Sequence, residues 1–126
     1  MGDMNCQADS PALKAICDDL PSRGCEDRIL YNLNSYLHDS NRGTYRYRGR
    51  WQTIDHVMVS GNLLNGVNKY QIEGGMKIFS APFLLEEDRG SYGYKPKPTY
   101  RGPRYIGGCS DHLPVYIDLR GTRDNR

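Results

Sequence analysis

Apolar positions recur at helical spacing in the first third of the chain and at alternate positions afterwards, which predicts helices followed by strands. Ser10-Pro11 reads as a helix N-cap with proline at the first helical position, and Leu13, Ile16, Cys17 and Leu20 form one stripe that Pro21 stops. A second stripe, Ile29, Leu30, Leu33, Tyr36 and Leu37, predicts another helix that ends before Asn41-Arg42-Gly43. At Thr44 the period changes to two. Tyrosine and arginine alternate up to Arg50, and 52–60 carries Ile54, Val57 and Val59, with Gly49-Arg50 as the candidate turn between two strands. Further strands are predicted at 69–72, 76–79 and 113–119, whereas the Gly- and Pro-rich stretch 90–108 reads mostly as loop. No repeat appears at periods of about 20 to 50 residues, which excludes a solenoid. The pattern is that of an α+β domain, a mostly antiparallel sheet with two helices on one face.

Length and composition narrow the class. A chain of 126 residues suits one compact domain, and ten tyrosines at 37% hydrophobic content exclude lasting disorder. A net charge of +2 says little, but its distribution says more. Arg42, Arg46, Arg48 and Arg50 are interleaved with Tyr45, Tyr47 and Trp51, with no acidic residue between Arg42 and Ile54. Such a stripe suits a phosphate backbone and stacked bases, so Tyr45, Arg46, Arg48 and Arg50 are candidate substrate contacts; a solvated two-sided strand is the plainer alternative. No apolar run approaches the roughly 18 residues that span a bilayer, and no basic region precedes an apolar core, so neither a span nor a signal peptide is expected. Cys6, Cys17, Cys25 and Cys109 lack the two-residue spacing of zinc or redox motifs. They are expected to be small buried hydrophobes, with Cys6 pairing with Cys17 or Cys25 only in an oxidising compartment.

Three short elements carry chemistry: Gly2-Asp3-Met4-Asn5, Ile54-Asp55-His56, and Ser110-Asp111-His112-Leu113-Pro114-Val115. Asp3 and Asn5 are two apart, so on an extended strand they share a face and can reach one phosphate together; an Asp/Asn turn is the alternative. Asp111 and His112 are adjacent and leave a strand in opposite directions, so both can act only if the backbone bends or one of them faces a neighbouring element. His56, next to Asp55, is expected to face inward as a core histidine, and Trp51 to pack at a strand entry.

In this order the three elements resemble the endonuclease/exonuclease/phosphatase superfamily. The resemblance covers nearly the whole chain, since Trp51 and Tyr105-Ile106-Gly107-Gly108-Cys109 also look like bacterial members. It implies a divalent-metal-dependent phosphodiesterase or phosphatase using Mg²⁺ or Mn²⁺. Asp3 would orient and deprotonate the attacking water, Asn5 donate to the phosphate, His112 contact the scissile phosphate, Asp55 hold His112, and Asp111 lie at the metal. It also implies a four-layer sandwich of two similar halves. The chain, with a domain over 1–120 and a flexible tail over 121–126, corresponds to the C-terminal, two-layer half. The family's metal-binding glutamate belongs to the other half, and none of Glu26, Glu73, Glu86 and Glu87 sits in a matching motif. Hydrolysis by this chain is therefore expected to be weak. The alternatives are a non-catalytic module that binds nucleic acid or phosphate, and a structural homodimer. Self-association is expected through a sheet face lined by Ile54, Val57 or Val59, unless the 90–108 loop covers it. The substrate is a phosphate ester, and nucleic acid is not distinguished from sugar, lipid or inositol phosphates. The cytoplasm and export of a longer parent are both left open.

Overall fold

The computed structural model describes residues 1–36, 42–67 and 69–121, and the architecture is α+β: mostly antiparallel strand pairs with two short helices. Strand β1 (Gly2–Asp3) is followed by helix α1 (Pro11–Lys14), capped as expected by Ser10, whose Oγ accepts from the Leu13 amide. The helix is a single turn. The remainder of its predicted stripe leaves helical geometry, because Asp18–Asp19 forms β2 and pairs in parallel with β3 (Leu30–Asn32).

The second predicted helix is not formed over its described part. Leu30–Asn32 is a strand and Leu33–Tyr36 a 3-10 turn, while residue 37 lies outside the described residues. The reason is tertiary. β3 is the middle strand of a three-stranded sheet, between β2 and β7 (Met58–Ser60), and ladder bonds on both sides outweigh a helical spacing that five residues satisfy by coincidence. The second helix of the fold is instead α2 (Gly61–Asn65), which ends at Gly66 in left-handed geometry (φ 67°).

Between these elements stand β4 (Tyr45–Tyr47), β5 (Arg50–Gln52) and β6 (Asp55–His56). Tyr47 pairs with Arg50, so the turn is Arg48-Gly49, one residue earlier than the Gly49-Arg50 expected. Both residues have positive φ, 48° and 78°, the mirror-image turn whose twist matches a two-residue hairpin. The strands predicted at 69–72 and 76–79 are one strand, β8 (Tyr70–Ile78). It pairs with β13 (Val115–Gly121), and the register slips between Tyr116 and Asp118, opposite Gly74-Gly75. Gly74 at φ 80° lets the backbone bulge there, so two apparent strands are one bent one. The loop region holds two hairpins in series: β9 (Leu85–Glu87) with β10 (Tyr94–Pro96), and β11 (Tyr100–Arg101) with β12 (Arg104–Tyr105).

The core is built from Leu33, Val57, Val59 and Met76, with Leu20, Leu63, Leu64, Ile72, Val115 and Ile117 packed around it. Val57 and Val59, together with Ile54, were the residues expected on an open sheet face. All three are buried, Val57 and Val59 in the core against which Leu63 and Leu64 of α2 pack, so these side chains offer no bare surface for self-association. The four cysteines are free. No helix among the described residues is long and apolar enough to cross a membrane. Of the tail expected at 121–126, Gly121 ends β13 and the rest lies outside the described residues.

Candidate active site

The pairing of β1 with β6 sets Asp3 directly opposite Asp55. Opposed residues in an antiparallel pair send their side chains to the same face, so two carboxylates fifty-two positions apart share one surface. The ladder continues with the Met4 amide donating to the Ile54 carbonyl at 2.9 Å. At Asn5 the backbone turns left-handed (φ 50°), a conformation that a short polar side chain tolerates. The Asn5 amide then donates to Asp3 Oδ1 at 2.8 Å, so the first motif is an Asp/Asn turn and a carboxylate presented on a strand at once. Asn5 itself is exposed.

His112 arrives from a third segment. A single antiparallel bridge joins it to Tyr45, and the Leu113 amide donates to the Thr44 carbonyl at 2.7 Å. Ser110 Oγ accepts from the His112 amide at 3.0 Å, bending the chain just before the bridge. That bend separates the adjacent Asp111 and His112: the histidine enters the cluster, while Asp111 stays exposed and outside it. Imidazole Nδ1 lies 2.8 Å from Asp55 Oδ2, and because an ionised carboxylate only accepts, Nδ1 carries the proton. Nε2 lies 3.9 Å from Asp3 Oδ2, too far for a direct hydrogen bond. The Tyr45 ring stacks on the imidazole with centroids 4.8 Å apart and an interplanar angle of 28°. The Asp55 side chain is 13% exposed and that of Asp3 is 38% exposed, so the ring spans from a covered carboxylate to an open one. Its Nδ1 edge is anchored and its Nε2 edge is accessible.

A buried network that sequence reasoning saw only as a core histidine holds this arrangement from below. His56 is fully buried. Its Nδ1 accepts from the side-chain amides of Asn32 and Asn34, both at 3.0 Å, and its Nε2 donates to the Cys6 carbonyl at 2.8 Å. His56 thereby ties the residue following the Asp3-Asn5 turn to the same strand that presents Asp55. Asn34 also donates to the Thr53 carbonyl at 3.2 Å. The available signal was Asn32-x-Asn34, two amides with strand spacing in an apolar segment.

The tyrosine and arginine stripe divides. Tyr45 joins the cluster through its ring. Arg46 leaves on the opposite side of β4, largely buried, and its guanidinium donates to the Tyr92 and Tyr94 carbonyls while Nε faces Asp88 Oδ2 at 3.7 Å. It therefore clamps the 88–94 loop. Burial pushes the Asp88 carboxyl up, but the Lys95 ammonium that donates to it, the Gly90 amide and the Arg46 charge together hold it below the usual carboxylate range. Arg48, in the hairpin turn, lies 5.2 Å over the Tyr47 ring, and both Arg48 and Arg50 are exposed.

A held Mg²⁺ or Mn²⁺ needs several convergent oxygens. Among the described residues no group of three or more His, Cys, Asp or Glu side chains could hold a metal ion, and Asp111 is exposed. The donor set described here does not fit a tightly held cation.

Comparison with curated proteins and with solved structures gave no match. Residues 1–121 match the model of a family described as endonuclease/exonuclease/phosphatase, a span that contains all three motifs and both faces of the cluster. The chain belongs to the endonuclease/exonuclease/phosphatase family.

Proposed function

We propose that this chain engages a phosphate ester at the Asp55-His112-Asp3 cluster and hydrolyses it slowly. One observation carries the proposal: an imidazole anchored at Nδ1 by a covered carboxylate, with Nε2 turned toward an open one. The 3.9 Å gap between Nε2 and Asp3 Oδ2 suits one oxygen in contact with both, at ordinary hydrogen-bond lengths of about 2.8 Å. When both ring nitrogens carry protons, Nε2 donates to a phosphoryl oxygen and Asp55 accepts from Nδ1, so positive charge stands where negative charge develops. Asp3 accepts a proton from the attacking water, and its Oδ1 is kept in place by the Asn5 amide. The exposed Asn5 side chain donates to the phosphate. Arg48 and Arg50 supply charge along the approach, with Tyr45 fixing the plane of the imidazole. Arg46 serves this surface by bracing its neighbouring loop rather than by touching substrate.

Enzymes of this family commonly use divalent metals. Asp111 is this chain's candidate carboxylate for Mg²⁺ or Mn²⁺, but with no group of three or more such ligands among the described residues no step is assigned to the ion. That poverty of donors is why turnover is proposed to be slow. It also favours, as a second reading, a module that binds phosphate esters without cleaving them.

Hydrolysis of bis-p-nitrophenyl phosphate by the purified chain, with and without Mg²⁺ or Mn²⁺, tests the assignment. Slow hydrolysis that His112→Ala lowers by about a hundredfold or more supports it. Hydrolysis unchanged by His112→Ala contradicts it, and binding of a diester with no hydrolysis selects the second reading.

A further inference from the structure

The two hairpins in series, β9–β10 and β11–β12, carry a surface that the cluster does not use. From Arg89 to Ser110 the chain has no acidic residue, yet it has five cations, Arg89, Lys95, Lys97, Arg101 and Arg104, and four tyrosines, Tyr92, Tyr94, Tyr100 and Tyr105. All four rings are exposed, from 60% at Tyr100 to 101% at Tyr92. Tyr100 and Tyr105 pack edge to face on each other with centroids 5.5 Å apart, and four exposed rings gathered on one arm mark a surface that meets something. Beside them runs a groove of about 600 Å³, lined by Arg89, Lys95, Arg101, Arg104 and Tyr105 and by two carboxylates, Glu86 and Glu87. Glu86 pairs with Arg101 and Lys95, which holds two of the cations in place. Arg104 has no carboxylate partner among the described residues.

The arm is braced to the candidate active site at both ends. Arg46, the residue after the ring that stacks on His112, holds the Tyr92 and Tyr94 carbonyls. At the other end Thr99 Oγ1 donates to the Cys109 carbonyl and the Gly108 amide to the Pro98 carbonyl, immediately before the segment that delivers His112. Both braces fix the arm to segments that also carry cluster residues, Tyr45 at one end and His112 at the other.

We propose that this double hairpin binds single-stranded nucleic acid, its arginines and lysines tracking phosphates and its tyrosines stacking on bases. As a statement about substrate this rests on the phosphate-ester reading above and selects nucleic acid from the phosphate esters. Sugar and inositol phosphates call for an enclosed site, whereas this surface is open and extended. A protein partner would also accept exposed tyrosine and arginine, but five cations against Glu86, Glu87 and Asp88 leave the double hairpin net positive, which fits a polyanion better.

Fluorescence anisotropy with a labelled single-stranded oligonucleotide, in chelator so that no turnover is required, is the test. Binding should weaken linearly on a log–log plot against salt. Arg101→Gln/Arg104→Gln should reduce the magnitude of that slope by about 1.4, two phosphates at roughly 0.7 each. Tyr100→Leu/Tyr105→Leu should weaken binding by about tenfold or more with the slope unchanged, and Arg101→Lys/Arg104→Lys should restore the slope. Circular dichroism of each variant establishes that it is folded. No binding by the wild type, binding by either double variant equal to that of the wild type at every salt concentration, or binding that salt does not affect overturns the proposal. Hydrolysis of bis-p-nitrophenyl phosphate, too small to span the arm, reads the cluster separately: hydrolysis without oligonucleotide binding sinks the arm and leaves the phosphate-ester reading intact, and binding without hydrolysis does the reverse.

Discussion

Replacing His56 with alanine strikes the network beneath the candidate site. The imidazole is fully buried, accepts from Asn32 and Asn34 and donates to the Cys6 carbonyl. The substitution takes an acceptor from two buried side-chain amides, those of Asn32 and Asn34, at a cost of about 1–3 kcal/mol. The vacated ring adds a cavity term, for which about 2 kcal/mol is the low end of large-to-small substitutions. The sum is about 3–5 kcal/mol, a large part of the roughly 5–15 kcal/mol that holds a domain of this size. With an m-value of roughly 2 kcal/mol per molar urea, the unfolding midpoint should fall by about 2 M. Two further variants separate stability from positioning. His56→Gln keeps a donor near the Nε2 position and should retain amide-exchange protection at Met4 and Asn5; His56→Asn keeps an acceptor near Nδ1 but releases Cys6, and that protection should be lost. A midpoint shift below about 0.5 M for His56→Ala, corresponding to roughly 1 kcal/mol, would refute the reasoning, as would equal protection in the Gln and Asn variants.

Other outcomes follow from the same structure. A Cβ at Gly108 would stand 1.9 Å from the Lys97 carbonyl oxygen, backbone against backbone, so Gly108→Ala should destabilise by about 1–3 kcal/mol or more and loosen the arm, as read by urea melts and proteolysis. Because Asp88 is held below the usual carboxylate range, its contribution is present above the unfolded value of about 3.9 and lost as pH falls through the lower folded value. Trp51, the sole tryptophan, sits under Arg46 with 5.7 Å from its ring centroid to the guanidinium carbon, so its fluorescence should report an acid transition below pH about 4 that Asp88→Asn removes. Burial, and then the charges of Asp19 and Asp18, push the Cys17 thiol up. A thiol reagent should therefore modify exposed Cys109 first and Cys17 only on unfolding; simultaneous labelling would show that the core opens more readily than its packing implies.

The meeting of Asp3, Asp55 and His112 was legible because each motif carries its own local geometry. Asp3 and Asp55 fall on strands that pair in register, and the Ser110 hydroxyl accepts from the His112 amide at the bend that precedes it. What escaped was set by partners far away in sequence. Leu30, Leu33 and Tyr36 satisfy a helical stripe, but Leu30–Asn32 is claimed from both sides by β2 and β7. The Arg48-Gly49 turn depends on Arg48 adopting positive φ, which no residue preference announces. The alternation along β4 correctly put Tyr45 and Arg46 on opposite faces, yet only the 88–94 loop decides that Arg46 is committed to bracing. The His56 network links residues 22 and 24 positions apart, beyond the reach of any local pattern.

The central claim is that His112, anchored by Asp55 and facing Asp3, is where a phosphate ester is engaged. Its most direct test is long-range ¹H–¹⁵N correlation spectroscopy of the histidine rings during titration with dimethyl phosphate. Saturable movement of the His112 Nε2 resonance is expected, with the buried His56 nitrogens unmoved and the Nδ1 proton of His112 lost in Asp55→Ala. A His112 ring that does not respond while the diester binds elsewhere on the protein would contradict the account.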